Sequence, residues 1–332
     1  MESTLMPAHA ALPADAAMTT GTILTVIVPA SHGCNLKCPF CYIDQRKEHR
    51  LSHEFDVGQF VHIVREAHHA EAIAALCIQG HEPLLPGSFA YTAALLELGR
   101  EHHFPVSFVT NGTYLADRVA ELVELTPARI AVSLDSHLAE RHDRQRGVVG
   151  AYEMTVDGLR KAGANPLLRD VTGVASVLIP KKRDQLLGMP ALLADIGIER
   201  WTVTCLFKVG KDDTVGGPVG DRAKTFQDLL ILQREAEKYG IEMTVDDEFG
   251  RLSEEDMNRE VVDINRLRIH RLQRPSGVFR LMPDGRCSIG TELLQEVAED
   301  TPRWIPAEEH AADFLQRVRD RYSAKQAAQA AA

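Results

Sequence analysis

No stretch of this 332-residue chain approaches the ~18 consecutive apolar residues of a membrane-spanning helix, so the sequence predicts no span. The first twenty residues, rich in Ala, Met, Thr and Pro, lack both a basic start and a continuous apolar core. They predict a disordered tail over 1–20, not a secretory signal. Basic charge is short as well: 37 Lys and Arg face 47 Asp and Glu, a net charge of −10. With no face rich in Lys and Arg, attraction to phosphates gets no support, and neither a nucleic-acid nor a membrane partner is expected. The nearest basic cluster, Lys181-Lys182-Arg183, reads as a solvated loop after a strand.

Cysteine is scarce too. Six are present, and Cys77, Cys205 and Cys287 are scattered singly, which excludes a disulfide framework and fits a reducing cytoplasm. The other three crowd into Gly33-Cys34-Asn35-Leu36-Lys37-Cys38-Pro39-Phe40-Cys41-Tyr42. A C-x3-C-x2-C run offers thiolates for three irons of a four-iron cluster, and the open fourth iron could bind and reduce a second molecule. Two other chemistries stay open on composition: a zinc set completed by His32, and a thiol-exchange pair in Cys38-Pro39-Phe40-Cys41.

Apolar, β-branched runs alternate with helix-period stretches through the first two thirds. Strands are expected over 22–29, 74–79, 106–110, 129–134, 171–179 and 200–207, and helices over 57–70, 89–102, 116–125, 155–162, 186–196 and 225–239. Strands alternating with helices of 10 to 15 residues imply βαβ units and parallel pairing. Six units predict an α/β fold, a partial (β/α)6 TIM-like barrel over 21–210, with chemistry on the loops after the strands' C-terminal ends. Residues 211–332 are expected to form a C-terminal extension closing the barrel and ending in a loose tail after Ser323. Within it, 211–220 reads as a loop or lid, 252–273 as a charged helix, and 279–289 as a hairpin around Pro283-Asp284-Gly285.

Three further motifs end predicted strands: Gln79-Gly80-His81-Glu82-Pro83, Thr110-Asn111-Gly112, and Ser133-Leu134-Asp135-Ser136 followed by His142-Asp143 and Arg146-Gly147. Together with the cysteine segment, in which Phe40 precedes the last cysteine, this series resembles the radical S-adenosylmethionine (radical SAM) superfamily. The second motif resembles the family's G-G-E-P segment, with His81 in place of a glycine. The fourth resembles an S-L-D…H-D…R-G pattern, with Ser136 in place of a glycine. A helix cap remains an alternative for Ser133 and Asp135, and Arg146 reads as a surface cation.

The resemblance implies a [4Fe-4S] cluster on Cys34, Cys38 and Cys41, with S-adenosylmethionine bound by Phe40, Gly80, His81, Glu82, Pro83, Asn111, Ser133 and Asp135. It implies an enzyme in which a 5′-deoxyadenosyl radical abstracts hydrogen from a substrate, supplied with electrons by an external one-electron reductase such as flavodoxin or ferredoxin. The small number of remaining cysteines predicts a single cluster. Cys287, beside a late turn, is the candidate catalytic hydrogen donor, against the alternative of a buried core thiol. The expected substrate is a small polar metabolite of sugar, aminocyclitol or nucleoside type, epimerised or dehydrogenated. A peptide-modifying maturase, and a non-catalytic iron-sulfur or zinc protein, are the alternatives.

Overall fold

The computed structural model describes residues 23–28, 33–41, 54–179, 181–209, 215–218, 222–246, 269–270, 278–289, 301–304 and 309–331. The expected tail over 1–20 lies outside them. Six parallel strands carry the architecture: β1 (Ile23–Ile27), β2 (Ala75–Gln79), β3 (Val106–Thr110), β4 (Arg129–Ser133), β5 (Thr172–Leu178) and β6 (Arg200–Cys205). They lie side by side in chain order, with β1 in register from Ile23 opposite Ala75 to Ile27 opposite Gln79. Helices α1 (Val57–His69), α2 (Phe89–His102) and α3 (Leu115–Leu125) connect the first four strands. Helices α4 (Ala139–Arg146), α5 (Ala151–Ala164) and the short α6 (Pro166–Arg169) lead from β4 to β5, and α7 (Met189–Ile196) leads to β6. The alternation expected from sequence is the fold observed.

Local chemistry sets these boundaries. Asp56 and Gln59 cap the start of α1 reciprocally: the Asp56 carboxylate accepts the Gln59 N–H at 2.8 Å, and the Gln59 side chain accepts the Asp56 N–H at 3.0 Å. Phe60, Ile63, Val64 and Ala67 then recur at helical spacing and are the buried face of α1. All five residues of β1 are buried, as a strand flanked on both sides and covered on both faces requires.

Helix α4 was not expected. Its sequence, Ala-Glu-Arg-His-Asp-Arg-Gln-Arg, has almost no apolar residue to show a period, and it buries the polar side chains of His142, Gln145 and Arg146.

The region after 210 builds both flanks of the sheet. Helix α8 (Arg222–Lys238) precedes β9 (Glu242–Asp246), which pairs in parallel with β6 and with β10 (Ile269–His270). On the other side β11 (Val278–Leu281) pairs in parallel with β1, and β12 (Cys287–Ile289) returns antiparallel along β11. The full order is β10-β9-β6-β5-β4-β3-β2-β1-β11-β12. Of the expected lid, Val215–Pro218 is strand β8, paired antiparallel with β7 (Phe207–Val209), and 211–214 and 219–220 lie outside the described residues. The expected charged helix over 252–273 likewise lies outside them except for β10. Helix α9 (Ala311–Ala331) runs on through the Ala- and Gln-rich end. Its first residue is tied to α1, the Ala311 N–H donating to Glu66 at 3.2 Å. Lys181 and Lys182 are exposed in the loop after β5, as expected, but Arg183 departs from that reading: it opens a 3-10 turn and is ion-paired with the buried Asp228 of α8. Among the described residues no helix is long and apolar enough to cross a membrane.

Candidate cofactor site at the C-terminal ends of the strands

The cysteine loop leaves β1 and is held from two sides. From β3, Asn111 donates from Nδ2 to Cys34 Sγ at 3.7 Å and to Asn35 Oδ1 at 2.9 Å. Its Oδ1 accepts from the Thr113 N–H at 2.9 Å and the Thr113 hydroxyl at 2.7 Å. The Asn35 amide closes the ring on Thr113 Oγ1 at 2.9 Å. Both hydrogens and both lone pairs of the Asn111 amide are therefore in use, so its orientation is fixed and one N–H is fixed on a cysteine sulfur.

From the β4 side the clamp is α4. The Arg146 carbonyl accepts the Lys37 N–H at 2.8 Å, and Arg146 Nη1 donates to Cys38 Sγ at 3.8 Å. Arg146 Nη2 stands 2.7 Å from Asp135 Oδ2, while Asp135 Oδ1 accepts the Val177 N–H at 2.9 Å. The guanidinium lies 5.6 Å from the Phe40 ring centroid, within cation–π reach. Gly147 makes this contact possible: at φ +71° it ends α4, and a Cβ there would come within 2.3 Å of the Lys37 carbonyl oxygen.

The rest of the fourth motif builds the clamp. His142 is fully buried and accepts the Asp135 N–H at Nδ1, 3.2 Å away. Burial, reinforced by Arg146, pushes its pKa down to about 4, so the ring is neutral. Asp143 accepts the Gly150 N–H at 2.7 Å and the Tyr152 N–H at 2.8 Å, capping the start of α5. Ser133 is half-buried at the end of β4. Ser136, where the family pattern has glycine, donates to the Gln185 carbonyl at 3.2 Å.

Glu82 is completely buried behind the loop. Its Oε1 accepts from the Leu84 N–H at 3.0 Å and the Thr110 hydroxyl at 2.5 Å, and Oε2 accepts the Asn111 N–H at 2.7 Å. Burial outweighs these bonds and raises its pKa to about 7. Gly80 and His81 both take left-handed backbone, φ +79° and +42°. Histidine thus adopts the conformation that the missing glycine would have taken freely, at a cost on the order of 1 kcal/mol. Pro83 is buried, its carbonyl accepting the Thr92 hydroxyl at 2.8 Å.

The structure thus brings Cys34, Cys38, Asn111, Asp135 and Phe40 into one network, with Glu82 bonded to Asn111 behind it. Cys41 is exposed at the loop's outer end, its N–H on the Cys38 carbonyl at 3.2 Å. Cys287 is placed elsewhere, in β12, fully buried in the apolar core with its thiol on the Ser288 carbonyl at 3.8 Å. Arg146, Asn35 and Thr113 are the participants that sequence reasoning missed. For Arg146 the R-G spacing after H-D was the available signal, since it places the arginine one turn beyond His142 on the same helix face.

Residues 28–187, from the end of β1 to the start of α7, match the family model of the Radical SAM superfamily. The chain carries a radical SAM domain over these residues. It is 28% identical over 221 residues to the pre-heme d1 synthase of Dinoroseobacter shibae, covering 62% of this chain and 50% of that protein. It is 28% identical over 119 residues to a cysteine-type anaerobic sulfatase-maturating enzyme of Clostridium perfringens, covering 33% of this chain and 32% of the enzyme. The matches thus span half or less of these curated relatives. Among solved structures, Streptococcus suis SuiB bound to S-adenosylmethionine superposes with a TM-score of 0.59 at 13% identity, over 89% of this chain and 63% of SuiB, a likeness of fold.

The family's cofactors are a [4Fe-4S] cluster and S-adenosylmethionine, and the radical SAM residues present here fit the cluster. Three thiols stand on one loop, and Asn111 and Arg146 each aim an N–H at one of their sulfurs. The Arg146 Nε–H is buried with no partner among the described residues, a donor still to be used. Burial holds Cys34 as a thiol, its pKa raised to about 11 in the metal-free chain, so ligation would displace its proton. Among the described residues no three His, Cys, Asp or Glu side chains converge on a single point, and His32, the candidate fourth zinc ligand, lies outside them.

Proposed function

We propose that this chain is a radical SAM enzyme whose cluster is ligated by Cys34, Cys38 and Cys41. The observation that carries the reading is the cysteine loop at the end of β1, held from β3 and α4 with N–H donors on two of its sulfurs. A cluster held by Cys34, Cys38 and Cys41 would supply the one-electron reduction of S-adenosylmethionine and, through it, hydrogen-atom abstraction from a substrate. The chain's own residues bind and orient. The left-handed turn at Gly80 and His81 presents backbone carbonyls to the amino group of the methionine moiety, braced from behind by Glu82. Ser133 at the end of β4 would hold the ribose or carboxylate. Asp135, with both oxygens engaged by Arg146 and Val177, acts by holding Arg146. Cys287 belongs to the core in this reading, and the hydrogen-donor role is set aside.

The test is anaerobic reconstitution with iron and sulfide, reduction with dithionite, addition of S-adenosylmethionine, and chromatography for 5′-deoxyadenosine. The expected outcome is product from the wild-type chain, with iron and product lost together in Cys38→Ala. Bound zinc in place of a cluster would end the reading.

For the substrate we favour a small molecule over a peptide, supported by the relative named for pre-heme d1 synthesis, whose match covers 62% of this chain against 33% for the sulfatase-maturating enzyme. A peptide substrate is the second reading, favoured by the likeness to the sulfatase-maturating enzyme. Deuterium transfer from labelled substrate pools into 5′-deoxyadenosine separates the two. An external one-electron reductase completes the system.

A further inference from the structure

We propose that Arg146 is a positioning residue that, through the series Asp135–Arg146–Cys38, sets the reduction potential of the cluster. This inference rests on the cluster reading above. Sequence alone left Arg146 as a surface cation, yet it is 9% exposed, and its guanidinium divides its donors between an anion and a ligand sulfur. One terminal nitrogen is 2.7 Å from Asp135 Oδ2 and the other 3.8 Å from Cys38 Sγ. The backbone enforces this placement, because the Lys37 N–H is bonded to the Arg146 carbonyl one residue from Cys38.

The physics gives a sign. Reduction adds one electron from an external one-electron donor to a centre already made anionic by its thiolates, with no bond made or broken. A buried positive charge and an N–H bond to a ligand sulfur both favour the more negative, reduced state and raise the potential. Asp135 opposes this by partly neutralising the guanidinium and drawing it away from Cys38. The two side chains therefore act in opposite directions on the same quantity, which a packing role would not produce.

The experiment is an anaerobic potentiometric titration of the reconstituted full chain without S-adenosylmethionine, the reduced cluster being read by electron paramagnetic resonance. Arg146→Met is expected to lower the potential by at least a tenfold change in the one-electron equilibrium, about 59 mV. Asp135→Asn is expected to raise it, and Arg146→Lys to fall between wild type and Arg146→Met. Full iron loading with unchanged potentials, or shifts of the same sign in Arg146→Met and Asp135→Asn, would overturn the inference while leaving the enzyme reading intact. Should Arg146→Met fail to fold, the Asp135→Asn titration decides alone: a rise supports the inference and no change overturns it. A wild-type chain that binds no cluster would remove the enzyme reading, and this inference with it.

Discussion

His142 shows how one buried side chain makes the clamp sensitive to acid. Its folded pKa of about 4 lies below the ordinary 6.5, so between those values the unfolded chain binds the proton that the fold excludes. The stability that depends on a neutral His142 is fully present above pH 6.5 and is lost as pH falls through 4. At about 1.4 kcal/mol per pH unit this amounts to about 3 kcal/mol. Glu82 works against it: its pKa, raised from 4.5 to about 7, contributes stability below 4.5 that is lost as pH rises through 7. The two slopes nearly cancel in the wild-type chain, so a difference measurement is needed. In urea unfolding of the metal-free protein, wild type should lose about 3 kcal/mol relative to His142→Gln between pH 6.5 and about 4, and a constant gap would refute the assignment. Legibility at this scale follows range. The three cysteines could be read because ligand spacing is local, whereas Arg146 had only its R-G spacing as a signal, because its burial arises only where the loop after β1 meets the helix after β4.

Helix α4 is the element on which the site depends, and it was invisible to periodicity because the face it buries is polar. The alternating strands and helices were legible because each pairs an apolar run with a turn. The hairpin of β7 and β8 and the flanking strands β9 and β10 were harder to foresee, since short strands acquire their meaning from the neighbour they join, whereas the hairpin of β11 and β12 was marked by its Pro-Asp-Gly turn. Gly147 ties α4 to the cysteine loop, and two penalties meet in Gly147→Ala: left-handed backbone, and an overlap with the Lys37 carbonyl. This variant should lose about 2–4 kcal/mol in chemical unfolding and retain less iron per chain after reconstitution. Wild-type stability and iron content would mean that α4 and the loop are not rigidly coupled.

At the scale of the molecule, the region after 210 is woven into the sheet. It supplies the outer neighbours of both β1 and β6. Removing it would expose a backbone edge on β1, the strand that leads into the cysteine loop, and unpaired edges of apolar strands aggregate. A chain ending at residue 210 should therefore elute as aggregate in size-exclusion chromatography and unfold without a cooperative transition. A monomeric, cooperatively unfolding fragment would show that the six inner strands suffice. The pairing of Ile23 with Val278 joins segments more than 250 residues apart, and that has a temporal consequence. On the ribosome β1 and its cysteine loop emerge long before β11, the second neighbour of β1. Contacts between such distant segments form late because a long loop must close before they are rewarded. Maturation of this protein is thereby ordered in time: the cysteines are made well before the strand that completes the sheet beside their loop.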